Sequence, residues 1–68
     1  GGEMNAIAKL RISSKLSQSD LAVKVGVTQG AVSQWESGET YPSVDKLLSL
    51  AKIFNCTLDD LFKEDQAS

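Results

Sequence analysis

Gly26, Val27 and Thr28 connect two short segments that both have the apolar spacing of an α-helix. Glycine can take the left-handed conformation that ends a helix because it has no Cβ, and threonine is a favoured N-cap residue. Since only Val27 separates the end of one helix from the cap of the next, the two helices must cross at a steep angle. The connection therefore predicts a helix-turn-helix.

The first helix of this pair is predicted to begin after Ser17. The Ser17 hydroxyl can accept a hydrogen bond from a free backbone N–H, and Asp20, three residues later, can reach back to complete a capping box. The apolar residues that follow at helical spacing are Leu21, Ala22 and Val25. Because Ala22 is small, it allows the two helix axes to approach closely.

The second helix has an apolar face and an uncharged polar face. At about 100° per residue, the residues within about 60° of Thr28 are Ala31, Val32 and Trp35. This stripe is wide enough to face a core. The opposite arc consists of amides, hydroxyls and a glycine, namely Gln29, Gly30, Ser33, Gln34 and Ser37.

The polar arc has the chemistry of a surface that reads DNA bases. Amides can pair bidentately with an adenine edge, hydroxyls can bond to several base edges, and glycine permits close approach in the major groove. We therefore predict base contacts from Gln29, Gly30, Ser33 and Gln34. An exposed polar face without a partner remains the alternative, although a solvated surface helix is usually stocked with lysine and glutamate.

Length and composition fit one small binding domain. A chain of 68 residues is near the lower limit at which a hydrophobic core is stable without disulfides or bound metal ions. One cysteine and no histidine exclude an internal disulfide and leave no plausible structural zinc site. No apolar run is long enough to span a membrane, and no stretch resembles a secretion signal. We expect a cytoplasmic protein without membrane contact.

Three more segments have helical spacing, which predicts an all-α, compact five-helix fold. The first helix is expected from Asn5 to Ser14, and the fourth opens at Pro42 and Ser43 and ends at Asn55. The predicted buried face of the fourth helix comprises Val44, Leu47, Leu48, Ala51 and Phe54.

A short final helix is predicted after Thr57, with Asp60 in its first turn. Its apolar residues are Leu58, Leu61 and Phe62. We expect residues 4–62 to form the domain, residues 1–3 to be a cloning remnant and the acidic tail at residues 63–68 to be frayed.

Five stretches of the chain carry motifs at fixed spacings, and they are Leu16–Ala22, Gly26–Thr28, Val32–Gly38, Pro42 with Ser43, and Leu58–Phe62. Together they closely resemble the Cro and lambda-type repressor helix-turn-helix family. The resemblance implies five packed helices, with the third in the DNA major groove. It also implies dimers that occupy two half-sites about one helical turn apart.

Individual roles follow from the same resemblance. It implies that Gln29 and Gln34 read bases, and that Gln18 grips a phosphate at a helix N-terminus, where the helix dipole favours an anion. It also implies that Arg11 and Glu36 form an internal ion pair between the first and third helices. The other expected contacts to the DNA backbone are Ser17, Thr28, Ser37, Thr40, Tyr41 and Ser43.

The chain is more acidic than a typical DNA-binding protein. Seven basic and nine acidic residues give a net charge of −2. Residues 1–38 carry four basic and three acidic side chains, whereas residues 57–68 carry one basic and four acidic ones. Glu39 also lies in a loop where many family members have lysine or arginine. We expect the acidic end to point away from DNA and the binding to depend weakly on salt.

Several residues have simpler interpretations than a catalytic or sensing role. Trp35 lies on the apolar stripe and is expected in the core, and Cys56 is expected to be a small buried hydrophobe. Asp59 and Asp60 fit the first turn of a helix. No nucleophile is paired with a base, and there is neither a phosphate-cradling loop nor a histidine, so no enzyme and no cofactor are predicted.

Two functions remain from the sequence. The favoured one is a sequence-specific transcriptional regulator, a repressor that binds double-stranded DNA at a palindromic operator as a homodimer. The alternative is an antitoxin-like interaction module whose main partner is another protein. Leu58 and Phe62 offer a candidate surface for a dimer or a partner in either case. No small-molecule ligand is expected.

Overall fold

The structure is a computed structural model, and it describes residues 6–61. Its helices are α1 (Ala6–Ser13), α2 (Gln18–Val25), α3 (Gln29–Ser37) and α4 (Val44–Phe54). Residues 58–61 are also helical. The segments follow the predicted order. The predictions for Asn5, Phe62, the remnant at residues 1–3 and the tail at residues 63–68 lie outside the described residues.

The start of α2 is the predicted capping box. The Ser17 hydroxyl accepts from the Asp20 backbone N–H at 2.9 Å, and the Asp20 carboxylate accepts from the Ser17 N–H at 3.1 Å. Gly26 then ends the helix in the left-handed conformation, with φ +88°. Its N–H donates to the Ala22 carbonyl at 2.8 Å. Both ends of α2 are therefore set by residues within the helix and its immediate flanks.

The same kinds of residue delimit α3. The Thr28 hydroxyl accepts from the Ala31 N–H at 3.1 Å, and Gly38 ends the helix at φ +86°. Only the short connection at Gly26–Thr28 separates the two helices, and α2 makes its most extensive packing contacts with α3. The other two helices pack against this pair, α1 on α3 and α4 on α2.

One hydrophobic core lies between the helices. Its largest fully buried side chains are Leu21, Val32 and Leu50, one from each of α2, α3 and α4. Trp35 is 5% exposed and packs in the same cluster, which agrees with its prediction as a core residue. Cys56 is only partly buried against this core, so it is less enclosed than expected.

The predicted buried face of α4 is wrong in part. Val44 and Leu48 are 68% and 48% exposed, whereas Leu50, which was not predicted to face the core, is fully buried. Leu47, Ala51 and Phe54 are partly buried against the core, as predicted. Apolar residues cover more than half of the circumference of α4, so their spacing alone admits two neighbouring faces. Packing against α2 selects the face that carries Leu50.

In residues 6–61, no helix combines the length and the apolar character needed to cross a lipid bilayer.

Candidate nucleic-acid interface

The outer face of α3 presents the predicted base-reading residues to solvent. Gln29, Gly30 and Gln34 are exposed, and Ser33 is partly exposed. On the opposite side of the helix Val32 is fully buried and Trp35 almost so. Glu36, one turn along the helix from Ser33 and Val32, is buried as well. The helix is therefore held by its inner face, and its polar arc points away from the core.

Gly30 has no packing reason to be glycine. A Cβ at this position would meet only the Thr28 hydroxyl, at 3.9 Å, and the backbone is helical rather than left-handed. Glycine inside a helix costs up to about 1 kcal/mol relative to alanine. The fold therefore does not require a glycine in the middle of the exposed arc.

The structure brings Arg11 and Glu36 together in a bidentate ion pair. Arg11 Nε donates to Glu36 Oε2 at 2.6 Å, and Arg11 Nη2 donates to Glu36 Oε1 at 3.1 Å. Arg11 Nη1 also donates to the Leu16 carbonyl at 2.8 Å. The two charged side chains are only 15% and 8% exposed. This pair ties α1 to the end of α3, which is the structural role that the family resemblance implied for it.

Two glutamines extend this ion pair to the surface. Gln18 Nε2 donates to Glu36 Oε1 at 3.0 Å, and Gln29 Nε2 donates to Gln18 Oε1 at 2.6 Å. We call these four residues, Arg11, Glu36, Gln18 and Gln29, the polar series. Sequence reasoning missed the two glutamine links, because their partners are 18 and 11 residues apart and lie on different helices.

The predicted backbone-contact residues on α2 and α3 lie at helix ends. Ser17 and Thr28 each accept a capping bond, and their hydroxyl protons remain free to donate. Gln18 is the first residue of α2, where backbone N–H groups lack partners within the helix. The Ser37 hydroxyl donates to the Gln34 carbonyl at 3.1 Å.

The remaining predicted contacts lie between α3 and α4. Thr40, Tyr41 and Ser43 are exposed, and Tyr41 is 74% exposed. Ser43 is the N-cap of α4, but its side chain makes no capping hydrogen bond. Glu39 is also exposed in this loop. Its negative charge weakens the electrostatic attraction of the loop for phosphates.

Comparison with known proteins decides the family. The model of a family described as helix-turn-helix matches residues 7–61, most of the chain. The chain belongs to this helix-turn-helix family. The assignment confirms the predicted family and the prediction that this is a regulator-type domain rather than an enzyme.

Curated relatives of this helix-turn-helix domain include two phage repressors. The chain is 45% identical over 51 residues to Repressor protein C2 of Salmonella phage P22, covering 75% of this chain and 24% of that protein. It is 48% identical over 40 residues to the 26 kDa repressor protein of Escherichia phage HK022, covering 59% and 17%. It is also 35% identical over 60 residues to the HTH-type transcriptional activator BcrR of Enterococcus faecalis, covering 88% and 29%. The chain thus spans less than a third of the length of these relatives.

A solved structure resembles the whole helix-turn-helix domain. It is the crystal structure of the P22 c2 repressor protein in complex with synthetic operator 9T in the presence of Tl⁺. The TM-score is 0.79 at 42% sequence identity, over 87% of this chain and 89% of that one. This likeness confirms the predicted all-α, compact five-helix fold.

Proposed function

We propose that this helix-turn-helix domain is the DNA-reading part of a transcriptional regulator and that α3 lies in the major groove of a specific operator. The observation that carries the proposal is the exposed, uncharged amide face of α3, held outward by the buried Trp35 and Val32. The similarity to a repressor solved with a synthetic operator supports it.

Base reading is assigned to the exposed arc of α3. Gln29 and Gln34 carry the amides that pair with base edges, and Ser33 adds a hydroxyl that can donate or accept. Gly30 allows the helix to approach the bases closely. All four residues lie on the part of α3 that the core does not use.

Contacts to the phosphate backbone flank this arc on both sides. On one side Gln18, Ser17 and Thr28 offer donors at helix N-termini, where the helix dipole favours an anion. On the other side the donors are Ser37, Thr40, Tyr41 and Ser43. Such contacts fix the register of α3 on the duplex and carry no sequence information themselves.

We propose further that the regulator is a repressor that binds a palindromic operator as a homodimer. The proposal of repression is supported by the two phage repressors among the relatives, which are 45% identical over 51 residues and 48% identical over 40 residues. The proposed dimer surface includes Leu58, which is 39% exposed on the last helical stretch.

Selection of bound duplexes from a random DNA pool, followed by alanine substitution, tests the DNA-reading function. We expect Gln29→Ala and Gln34→Ala to stay folded and each to lose about 1–3 kcal/mol of discrimination between the selected duplex and its single-base variants. Titration of both duplexes measures this loss.

Gln66→Ala is the matched control, because Gln66 lies beyond the residues that the family model matches. It should bind like the parent chain. The proposal fails if the folded parent chain binds selected and scrambled duplexes equally well. Half-site symmetry in the selected sequences tests the homodimer separately.

A further inference from the structure

The side of α4 that faces solvent carries two apolar residues between two opposite charges. Val44 and Leu48 are one turn apart and are 68% and 48% exposed. Asp45 and Lys52 are exposed on the same side of the helix. At about 100° per residue, all four residues lie within about 100° of the helix circumference. We call these four residues the α4 outer face.

The two charges of the α4 outer face have no partner within residues 6–61. Asp45 and Lys52 take part in no ion pair or side-chain hydrogen bond among these residues. They cannot pair with each other, because they are about 10 Å apart along the helix axis, whereas side chains of a helix meet at spacings of three or four residues. Each charge is therefore available to an opposite charge on another molecule.

The order of these residues makes the face complementary to itself. Leu48 lies beside the midpoint between Asp45 and Lys52. If a second α4 lies antiparallel across the first, about a two-fold axis near Leu48, Asp45 of each copy faces Lys52 of the other. A parallel pairing would place like charges together. In a two-fold interface the same patch serves both copies, and a different partner protein would need no such symmetry.

We propose that the α4 outer face binds a second copy of this chain, in an antiparallel two-fold pair of α4 helices. Leu48 packs against Leu48 of the other copy, and Val44 packs against the aliphatic stem of Lys52. Two ion pairs between Asp45 and Lys52 flank this apolar centre. The contact uses neither Leu58 nor the amide face of α3, so it is a second self-association surface and does not depend on DNA reading.

The contact should be weak. α4 has 11 residues and is about 16 Å long, so a pair of such helices buries less than the roughly 1,200 Å² at the lower end of stable interfaces. Exposed ion pairs add little and are screened by salt. We expect dimers at protein concentrations of roughly 0.1–1 mM, and fewer of them at high salt concentration.

A dilution series of the parent chain, followed by NMR without DNA, tests the location of the contact. We expect the backbone amide signals of the α4 outer face to shift with protein concentration, while those of Gln29 and Gln34 stay constant. Constant α4 signals up to about 1 mM would overturn the proposal.

Leu58→Ala is the matched control for this series, because it alters the other proposed surface. The concentration dependence of the α4 signals should be the same in this variant as in the parent chain. If it disappears, the α4 signals respond to a dimer formed through Leu58, and the proposal is wrong.

Charge reversal tests the antiparallel geometry. Asp45→Lys gives each copy two positive groups on the α4 outer face, and Lys52→Asp gives each copy two negative groups. Either variant alone should associate roughly tenfold more weakly than the parent chain, because both ion pairs become repulsive. A parallel pairing predicts no such weakening, so unchanged association of both variants would overturn the proposal.

Mixing the two variants tests whether charge complementarity causes the loss. When one variant is isotope-labelled and the other is added unlabelled, association should return to the level of the parent chain. Glu39→Lys makes the same change of net charge outside α4, so it should associate like the parent chain. No recovery on mixing would count against the ion pairs and overturn the proposal.

Leu48→Ser tests the apolar centre without changing any charge. Leu48 is about half exposed, so the fold should persist, and circular dichroism verifies this. We expect a loss of association of roughly tenfold, since the residue at the two-fold axis contributes from both copies. If the charge reversals unfold α4 by opposing its helix dipole, this variant still decides the question, and unchanged association of folded Leu48→Ser would refute the proposed pair.

Discussion

Ser17 and Asp20 show how two residues define the position at which a helix begins. Each side chain satisfies a backbone N–H of the other, at 2.9 and 3.1 Å, so the first turn of α2 keeps no orphan donor at these two positions. The hydrogen bond from the Ser17 backbone N–H, and to a smaller extent the Ser17 hydroxyl, lowers the pKa of the Asp20 carboxyl. The cap is therefore sensitive to acid.

The lowered pKa predicts a stability change on acidification. Because the folded pKa of Asp20 lies below its unfolded value, the ionised carboxylate stabilises the fold above the unfolded value of about 3.9, and this contribution is lost as the pH falls through the folded pKa. In Asp20→Asn the amide oxygen can still accept from Ser17, but it cannot titrate. We expect urea unfolding, followed by circular dichroism, to show a smaller acid loss of stability in the variant.

The free energies of unfolding of the parent chain and Asp20→Asn are also compared at neutral pH. This comparison corrects for the negative charge in the first turn of α2 that the variant lacks. Identical pH dependence of the unfolding free energy in the two chains would show that the capping carboxylate contributes nothing to acid sensitivity.

The sequence predicted that the amides of α3 are exposed, but it did not predict the hydrogen bonds that they make. The polar arc of α3 follows from helical geometry, so Gln29 and Gln34 could be placed on the surface from their positions in the chain. The links from Gln18 to Glu36 and Gln29 depend on which rotamers the packed helices allow. No pattern within one helix contains that information.

At the scale of the elements, the chain's own local chemistry sets the helix boundaries. Caps and glycines act within a few residues, so the bounds of α2 and α3 could be predicted closely. The buried face of α4 could not, because Val44 and Leu48 continue an apolar pattern that the core does not use. The choice between two adjacent faces is made by the neighbouring helix.

Two glycines of the helix-turn-helix should respond oppositely to the same substitution. Gly26 has φ +88°, so alanine there is strained and should destabilise the fold by about 1–2 kcal/mol. Gly30 is helical with open space around its Cβ, so alanine there should stabilise it by up to about 1 kcal/mol. Urea denaturation midpoints measure both effects. Shifts in the same direction would mean that backbone conformation does not control these positions.

The charge balance of the whole molecule sets how binding should depend on salt. Residues 6–61 carry six basic and six acidic side chains, and Arg11 is already committed to Glu36. Few cations remain to displace counterions from DNA, so in the proposed complex base contacts and dimerisation would supply more of the affinity.

We expect a shallow slope when the logarithm of the binding constant is plotted against that of the salt concentration. A slope equivalent to roughly eight or more phosphates per dimer would contradict the proposal. Glu39→Lys provides the comparison, because it places a cation in the exposed loop after α3. It should steepen the slope by about one to two phosphates per dimer, whereas Glu39→Gln should change it less.

The location of Trp35 has a practical consequence for all of these measurements. It is the only tryptophan in the chain, and it is buried on the side of α3 opposite the proposed DNA face. Its fluorescence therefore comes from the interior of the protein, and no base can stack on the ring while the helix remains folded. Trp35 fluorescence can therefore report whether the protein is folded, even when a duplex is bound to the proposed DNA face.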